Sequence, residues 1–182
     1  MSEAETLFEG RYLRLMRRRG WEYAERTNSR IAVIIIAVTP ADRVLFVEQY
    51  RWSILKNTIE MPAGLVGDLE SCKDEDMFDA ARRELEEETG WTAESFEFVM
   101  AGPTSSGLSN EVIAFVRARG LRKVGPGGGD PSEDIRVHEV PRREAARWLK
   151  ARMDEDYSID PKLYAGLYFI DHEADGRPVS GG

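Results

Sequence analysis

Arg83-Glu84-Leu85-Glu86-Glu87-Glu88-Thr89-Gly90 decides how this chain is read. At ~100° per residue, Glu84, Glu87 and Glu88 fall within roughly one third of a helix circumference, and Glu86 points away. Met77, Phe78, Ala81 and Leu85 form a neighbouring apolar stripe that would pack the helix on a core. Gly90 is a stop signal. Three carboxylates in a last helical turn are badly placed, because the C-terminal end of a helix already carries partial negative charge and like charges at i,i+4 repel. A cation would relieve both problems. Hard oxygen ligands grouped this way suit Mg²⁺ or Mn²⁺ rather than zinc.

Outward from this helix the pattern is that of one domain. The chain has 182 residues, 42% hydrophobic and 32% charged, and its mean hydropathy is -0.44, ordinary values for a globular protein with a real core. Net charge is -8, which argues against general binding to nucleic acid or anionic membranes. Cys72 is the single cysteine, so no internal disulfide forms. The longest apolar run, Ile31–Val38, is too short to span a bilayer. Glu3 and Glu5 occupy the would-be basic start of a signal peptide, so the expected location is cytoplasmic.

Residues 6–28 read as one or two strands, with Leu13, Leu15, Trp21 and Tyr23 alternating with charged residues. Ile31–Val38 is a β-branched run expected to be buried on both faces. Val44–Gln49 follows a Thr39-Pro40-Ala41-Asp42 turn, so the two could form a hairpin. The main helix is Asp76–Thr89. Phe96–Ala101 and Val112–Ala118 look like further strands. Gly125–Asp134 is a glycine-rich loop, and Ile135–Val140 returns to the sheet. Pro141 is expected to open a helix through Met153, and Pro161–Ile170 to form another. The expected class is therefore α/β, a mixed sheet with helices around it. Its parts are N-terminal strands (1–30), a main domain (31–174) and a tail (175–182). His138 and His172 lack partners at metal-ligand spacing. No Gly-x-Ser-x-Gly elbow or Gly-Lys-Ser/Thr loop appears.

Gly64, Glu70, Arg83, Glu84, Leu85, Glu87, Glu88, Gly90 and Trp91 fill, in order, the typed positions of the Nudix motif, and the chain resembles the Nudix hydrolases. Twelve residues separate Glu70 from Arg83 where the family has seven. An insertion at Ser71–Asp76 accounts for this. The alternative anchor, Glu75, has the seven-residue gap but puts Leu69 in the glycine slot. Val47-Glu48-Gln49-Tyr50-Arg51, Glu60-Met61-Pro62-Ala63-Gly64 and Gly127–Ile135 look like the ADP-ribose and GDP-mannose hydrolase branch.

The resemblance implies an α/β/α sandwich with a small N-terminal sheet used in homodimerisation. It implies divalent-metal-dependent hydrolysis of nucleoside diphosphate sugars to a nucleoside monophosphate and a sugar phosphate. The implied metal set is Glu84, Glu87 and Glu88 with the Ala63 carbonyl, and Arg83 orients a carboxylate. Arg51, Glu60 and Glu111 are the implied substrate contacts. In related enzymes a loop acid reaches the attacking water; branch members often carry a glutamate where Pro131 stands here, so Glu133 takes the role, with Asp130 and Asp134 as rivals. The three glycines would allow close approach to a ligand, or simply make a surface loop. Alternative functions are hydrolysis of capped RNA or free nucleotides, and non-catalytic nucleotide-sugar binding.

Overall fold

A computed structural model describes residues 3–29, 31–67, 74–130 and 133–179. Glu70 and Cys72 lie outside the described residues. Three strands, β1 (Glu5–Glu9), β2 (Leu13–Arg18) and β3 (Trp21–Arg26), form an antiparallel N-terminal sheet. The sequence suggested one or two strands there; short turns at 10–12 and 19–20 divide the segment further.

The main body begins with β4 (Ile31–Ile36), β5 (Arg43–Arg51), β6 (Lys56–Glu60) and β7 (Ala63–Leu65). Helix α1 (Met77–Thr89) follows, then β8 (Trp91–Thr92), β9 (Ser95–Pro103), β10 (Val112–Arg119) and β11 (Arg122–Lys123). The chain ends with β12 (Arg136–Pro141), α2 (Ala145–Asp154), β13 (Ser158–Ile159) and α3 (Lys162–Asp171). Two mixed four-stranded sheets result, in the orders β7-β4-β10-β9 and β12-β5-β6-β13.

Alternation along β4 explains the layering. Val33, Ile35 and Ala37 pack with Ala80, Ala81 and Leu85 of α1. Ile34 and Ile36 pack with Leu149 of α2 and with Leu163, Phe169 and Ile170 of α3. A period of two on a strand flanked by helices on both faces makes the continuous apolar run. The outcome is an α/β/α sandwich, as the sequence implied. No helix among the described residues is long and apolar enough to cross a membrane.

Two local expectations change. The Ile31–Val38 and Val44–Gln49 runs meet only near their turn, through the Val38–Val44 bridge and the Leu45 N–H to Ala37 O bond. Beyond it β4 pairs with β10 and β7, while β5 pairs with β12 and β6. Splitting the pair lets both strands bury both faces. Pro141 ends β12 rather than opening a helix; a 3-10 turn at Arg142–Glu144 precedes α2.

Arg117 anchors α3, whose first turn borders the cleft described below. It is buried at 3% exposure. It donates to the carbonyls of Phe169 (2.9 Å) and His172 (3.0 Å), capping the helix end with a cation. Its ion pairs with half-exposed Glu97 and Glu173 add little. Arg117→Met should therefore cost about 1–3 kcal/mol, the cost of orphaned buried acceptors. Chemical denaturation would measure this; an unchanged midpoint would contradict the anchoring role.

Candidate active site

A helix start and a helix end together place the acidic cluster. Asp76 caps α1, its side chain accepting from the backbone N–H of Phe78 (2.8 Å) and Asp79 (2.9 Å). Gly90 ends it at φ 72°. Between them Ala81 and Leu85 face the core, which turns Glu84 and Glu88 toward β7. The fit is close: a Cβ at Gly64 would lie 2.0 Å from the Glu84 carboxyl carbon. Any side chain there would displace the Glu84 carboxylate.

These elements wall a cleft of ≈ 370 Å³. Glu84 and Glu88 enter from α1, Ala63 and Gly64 from β7, Gln49 and Arg51 from β5, and Glu60 from β6. Glu133 comes from the loop before β12, and Glu111 from just before β10. The structure thus gathers most of the residues singled out in the sequence. Arg83 and Glu87 do not line the cleft. Glu87 is 44% exposed at its side chain and pairs with Arg83 at 3.2 Å.

Glu88 is the electrostatic centre. It is buried at 3% exposure, and its Oε2 accepts the Ala63 N–H at 3.0 Å. Burial pushes its carboxyl well above the usual range, the Ala63 bond opposes this, and the negative charges of Glu84, Glu133 and Glu60 push it further up. A buried carboxylate under three like charges suits a divalent cation. Among the described residues, however, no three acidic side chains converge as a ready metal site. Arg83 holds Glu84 at 2.7 Å as well as Glu87.

Arg83 also holds an acid that precedes the helix. Its Nε and Nη2 grip the buried Glu75 carboxylate at 2.9 and 3.0 Å, a bidentate pair. Glu75 is the alternative motif anchor, with seven residues between it and Arg83.

The remaining charges are also paired. Glu60 takes Arg51 bidentately, with Nε to Oε1 at 2.8 Å. Glu111 bonds Arg26 of β3 and accepts from Thr104 Oγ1 at 2.8 Å. Burial would raise its carboxyl, but Arg26 and Thr104 outweigh that and hold it below the usual range. Lys162 pairs with Asp160 at 2.5 Å. Arg26, Gln49, Thr104, Asp160 and Lys162 line the cleft without having been singled out in the sequence. They come from four distant segments and share no local pattern. His138 instead bonds Glu48 at 2.8 Å, and His172 bonds the Tyr168 carbonyl.

The glycine loop turns to the helix. Gly128 and Gly129 donate N–H bonds, both 2.9 Å, to the carbonyls of Glu88 and Glu87. Gly127 also approaches the end of α1 closely, where a Cβ would come within 2.4 Å of Thr89 C.

The NUDIX domain model matches residues 28–162. This chain belongs to the Nudix family. An uncharacterized Nudix hydrolase of Schizosaccharomyces pombe is 40% identical over 154 residues, covering 81% of this chain and 72% of that protein. The methanol dehydrogenase activator of Bacillus methanolicus is 38% identical over 122 residues, 66% of this chain and 63% of that protein. The ADP-ribose pyrophosphatase of Bacillus subtilis is 34% identical with the same coverage, 66% and 63%. The chain thus spans just under two thirds of each of these two Bacillus relatives. The crystal structure of an ADP compounds hydrolase superposes with a TM-score of 0.68 at 19% identity, covering 92% of this chain and 89% of that one; it shares the fold.

The buried glutamate of the Nudix helix should shape the pH dependence of stability. Folding raises the Glu88 pKa above its unfolded value, so the folded state binds the proton more tightly. Stability therefore falls as pH rises from the ordinary carboxylate range through the folded pKa. In metal-free buffer, Glu88→Gln should flatten this decline and raise the melting temperature at neutral pH. Thermal melts at several pH values, with and without a divalent ion, would test it; a lower melting temperature for the variant at neutral pH would refute it.

Proposed function

We propose that this Nudix protein hydrolyses the pyrophosphate bond of nucleoside diphosphate sugars to a nucleoside monophosphate and a sugar phosphate. One observation carries the reading: the buried Glu88 and its neighbour Glu84 share a cleft with the paired cations Arg51 and Arg26 and with Glu111. An acidic floor suits cation-bridged phosphates, and the arginines suit their oxygens. The carboxylates suit sugar hydroxyls. The ADP-ribose pyrophosphatases of Bacillus subtilis, Mycobacterium tuberculosis and Escherichia coli, 34%, 33% and 30% identical, favour ADP-ribose as the first substrate to test, with GDP-mannose next.

Nudix hydrolases use divalent metals. Glu84, Glu88 and the Ala63 carbonyl, with Glu87 beside them, are the residues that would hold Mg²⁺ or Mn²⁺ here. Such an ion neutralises phosphate charge and acidifies water. Arg83 keeps the glutamates in place through its grip on Glu75. Arg51, held in position by Glu60, offers its remaining donors to a phosphate oxygen. Glu133 takes a proton from the attacking water.

Glu88→Gln should lower kcat at least ~10²-fold, about 2.7 kcal/mol of barrier. The decisive experiment is a substrate panel with Mg²⁺ or Mn²⁺ and chromatographic identification of products. It should include ADP-ribose, GDP-mannose, UDP-glucose, dinucleoside polyphosphates, capped RNA and a nucleoside triphosphate. Full activity in EDTA, or a triphosphate as the best substrate, would refute the proposal.

The protein is also proposed to be a homodimer built with its N-terminal sheet. Phe8, Leu13 and Leu15, on one face of the sheet by its register, are 67%, 51% and 40% exposed, an apolar face that a two-fold contact would cover. Sedimentation should give a dimer for the full chain and a monomer without residues 1–28. A fully active full-length monomer at micromolar concentration would contradict this.

A further inference from the structure

We propose that Gly127-Gly128-Gly129 is a positioning device that sets Glu133 against the acidic end of α1, with Gly129 fixing where the carboxylate lies. The proposal rests on the reading of Glu133 as the base. On one side, the segment is bonded to the helix backbone itself. The N–H groups of Gly128 and Gly129 reach the consecutive carbonyls of Glu88 and Glu87 at 2.9 Å each. Gly127, at φ +72°, lies so near that a Cβ would come within 2.4 Å of Thr89 C and 2.7 Å of Glu88 O. Those atoms are backbone, so the clash could not be relieved by turning a side chain.

On its other side, the segment holds Glu133. A Cβ on Gly129 would lie 2.6 Å from Glu133 Oε2 and 2.8 Å from Glu133 Cβ. The glutamate therefore fills the space that any larger residue would need. Its Oε2 accepts the Asp130 N–H at 3.2 Å, and its own N–H bonds Asp130 O at 3.0 Å. The return strand is tied back by Ile135 N–H to Gly128 O at 3.2 Å. The loop is thus held to the carbonyls of Glu87 and Glu88 by backbone bonds, and the Glu133 side chain lies in the space that the missing Cβ of Gly129 leaves open. Backbone bonds to a helix end on one side and a fitted space on the other narrow the positions open to a catalytic group, as catalysis needs. None of the three glycines lines the cleft that holds Glu84, Glu88 and Glu133, so they act on it through this link.

The test is Gly129→Ala, with Gly20→Ala, in the turn between β2 and β3, as control. Both positions have positive φ, +82° and +81°, and both variants carry backbone strain. At Gly20, however, nothing lies within 4 Å of an added Cβ. With ADP-ribose and Mg²⁺, Gly129→Ala should lower kcat on the order of 10–100-fold, leaving KM within about twofold. Gly20→Ala should keep most of its kcat at a similar melting temperature. In a Glu133→Gln background, Gly129→Ala should cause no further loss.

Equal losses in the two glycine variants, or the same Gly129→Ala factor with and without Glu133, would overturn the proposal. So would wild-type kcat in Gly129→Ala. Wild-type kcat in Glu133→Gln would remove Glu133 as the base and the positioning role with it. If Gly129→Ala does not fold, Glu133→Asp in the native loop reads the same geometry by retracting the carboxylate one methylene. It should lower kcat without changing KM or stability, and unchanged kcat there overturns the proposal.

Discussion

A carboxylate buried at the C-terminal end of a helix is the constraint on which this structure turns. Glu88 sits where the helix dipole, the loss of water and three neighbouring acids all oppose its charge. The surrounding architecture supplies donors to that end of α1. Ala63 gives its N–H to the carboxylate, while Gly90, Gly129 and Gly128 give theirs to the carbonyls of Glu86, Glu87 and Glu88. The donors come from three separate parts of the chain. The strand β7, the helix stop and the glycine loop are therefore held together by one local electrostatic problem.

Charge pairing extends the same logic through the cleft. Arg83 holds Glu75, Arg51 holds Glu60, Arg26 bonds Glu111, and Lys162 pairs with Asp160. An isolated buried charge is expensive, whereas a bidentate pair is ordered before any ligand arrives. The cleft can then present both signs of charge without large rearrangement.

Arg26 gives the N-terminal sheet a part in the site. Its strand is tied to the main body by Ala24, whose N–H bonds the Leu108 carbonyl at 2.7 Å, and by Asn110 on Glu25. The Arg26–Glu111 contact lies directly beyond these bonds. A change in how the N-terminal sheet packs, including any contact with a second copy, would therefore be felt at Glu111.

Much was legible in the sequence alone. The α1 stripe, its Gly90 stop and the clustering of Glu84, Glu87 and Glu88 follow from a fixed period of 3.6 residues, and the two-faced burial of β4 follows from an eight-residue apolar run. These are local properties, carried by neighbours in the chain. Glu70 and Glu75 each fit only one of the two motif gaps, and the grip of the Arg83 guanidinium on Glu75 is a contact that only the fold shows. The glycine loop showed its conformational freedom but not its target, since the carbonyls it caps lie about forty residues earlier in the chain. Arg26, Asp160 and Lys162 gave no local signal, because a cleft lined from distant segments has no sequence period. Short-range geometry determined the helix and its charges; long-range packing decided which of those charges face the cleft and which partners hold them.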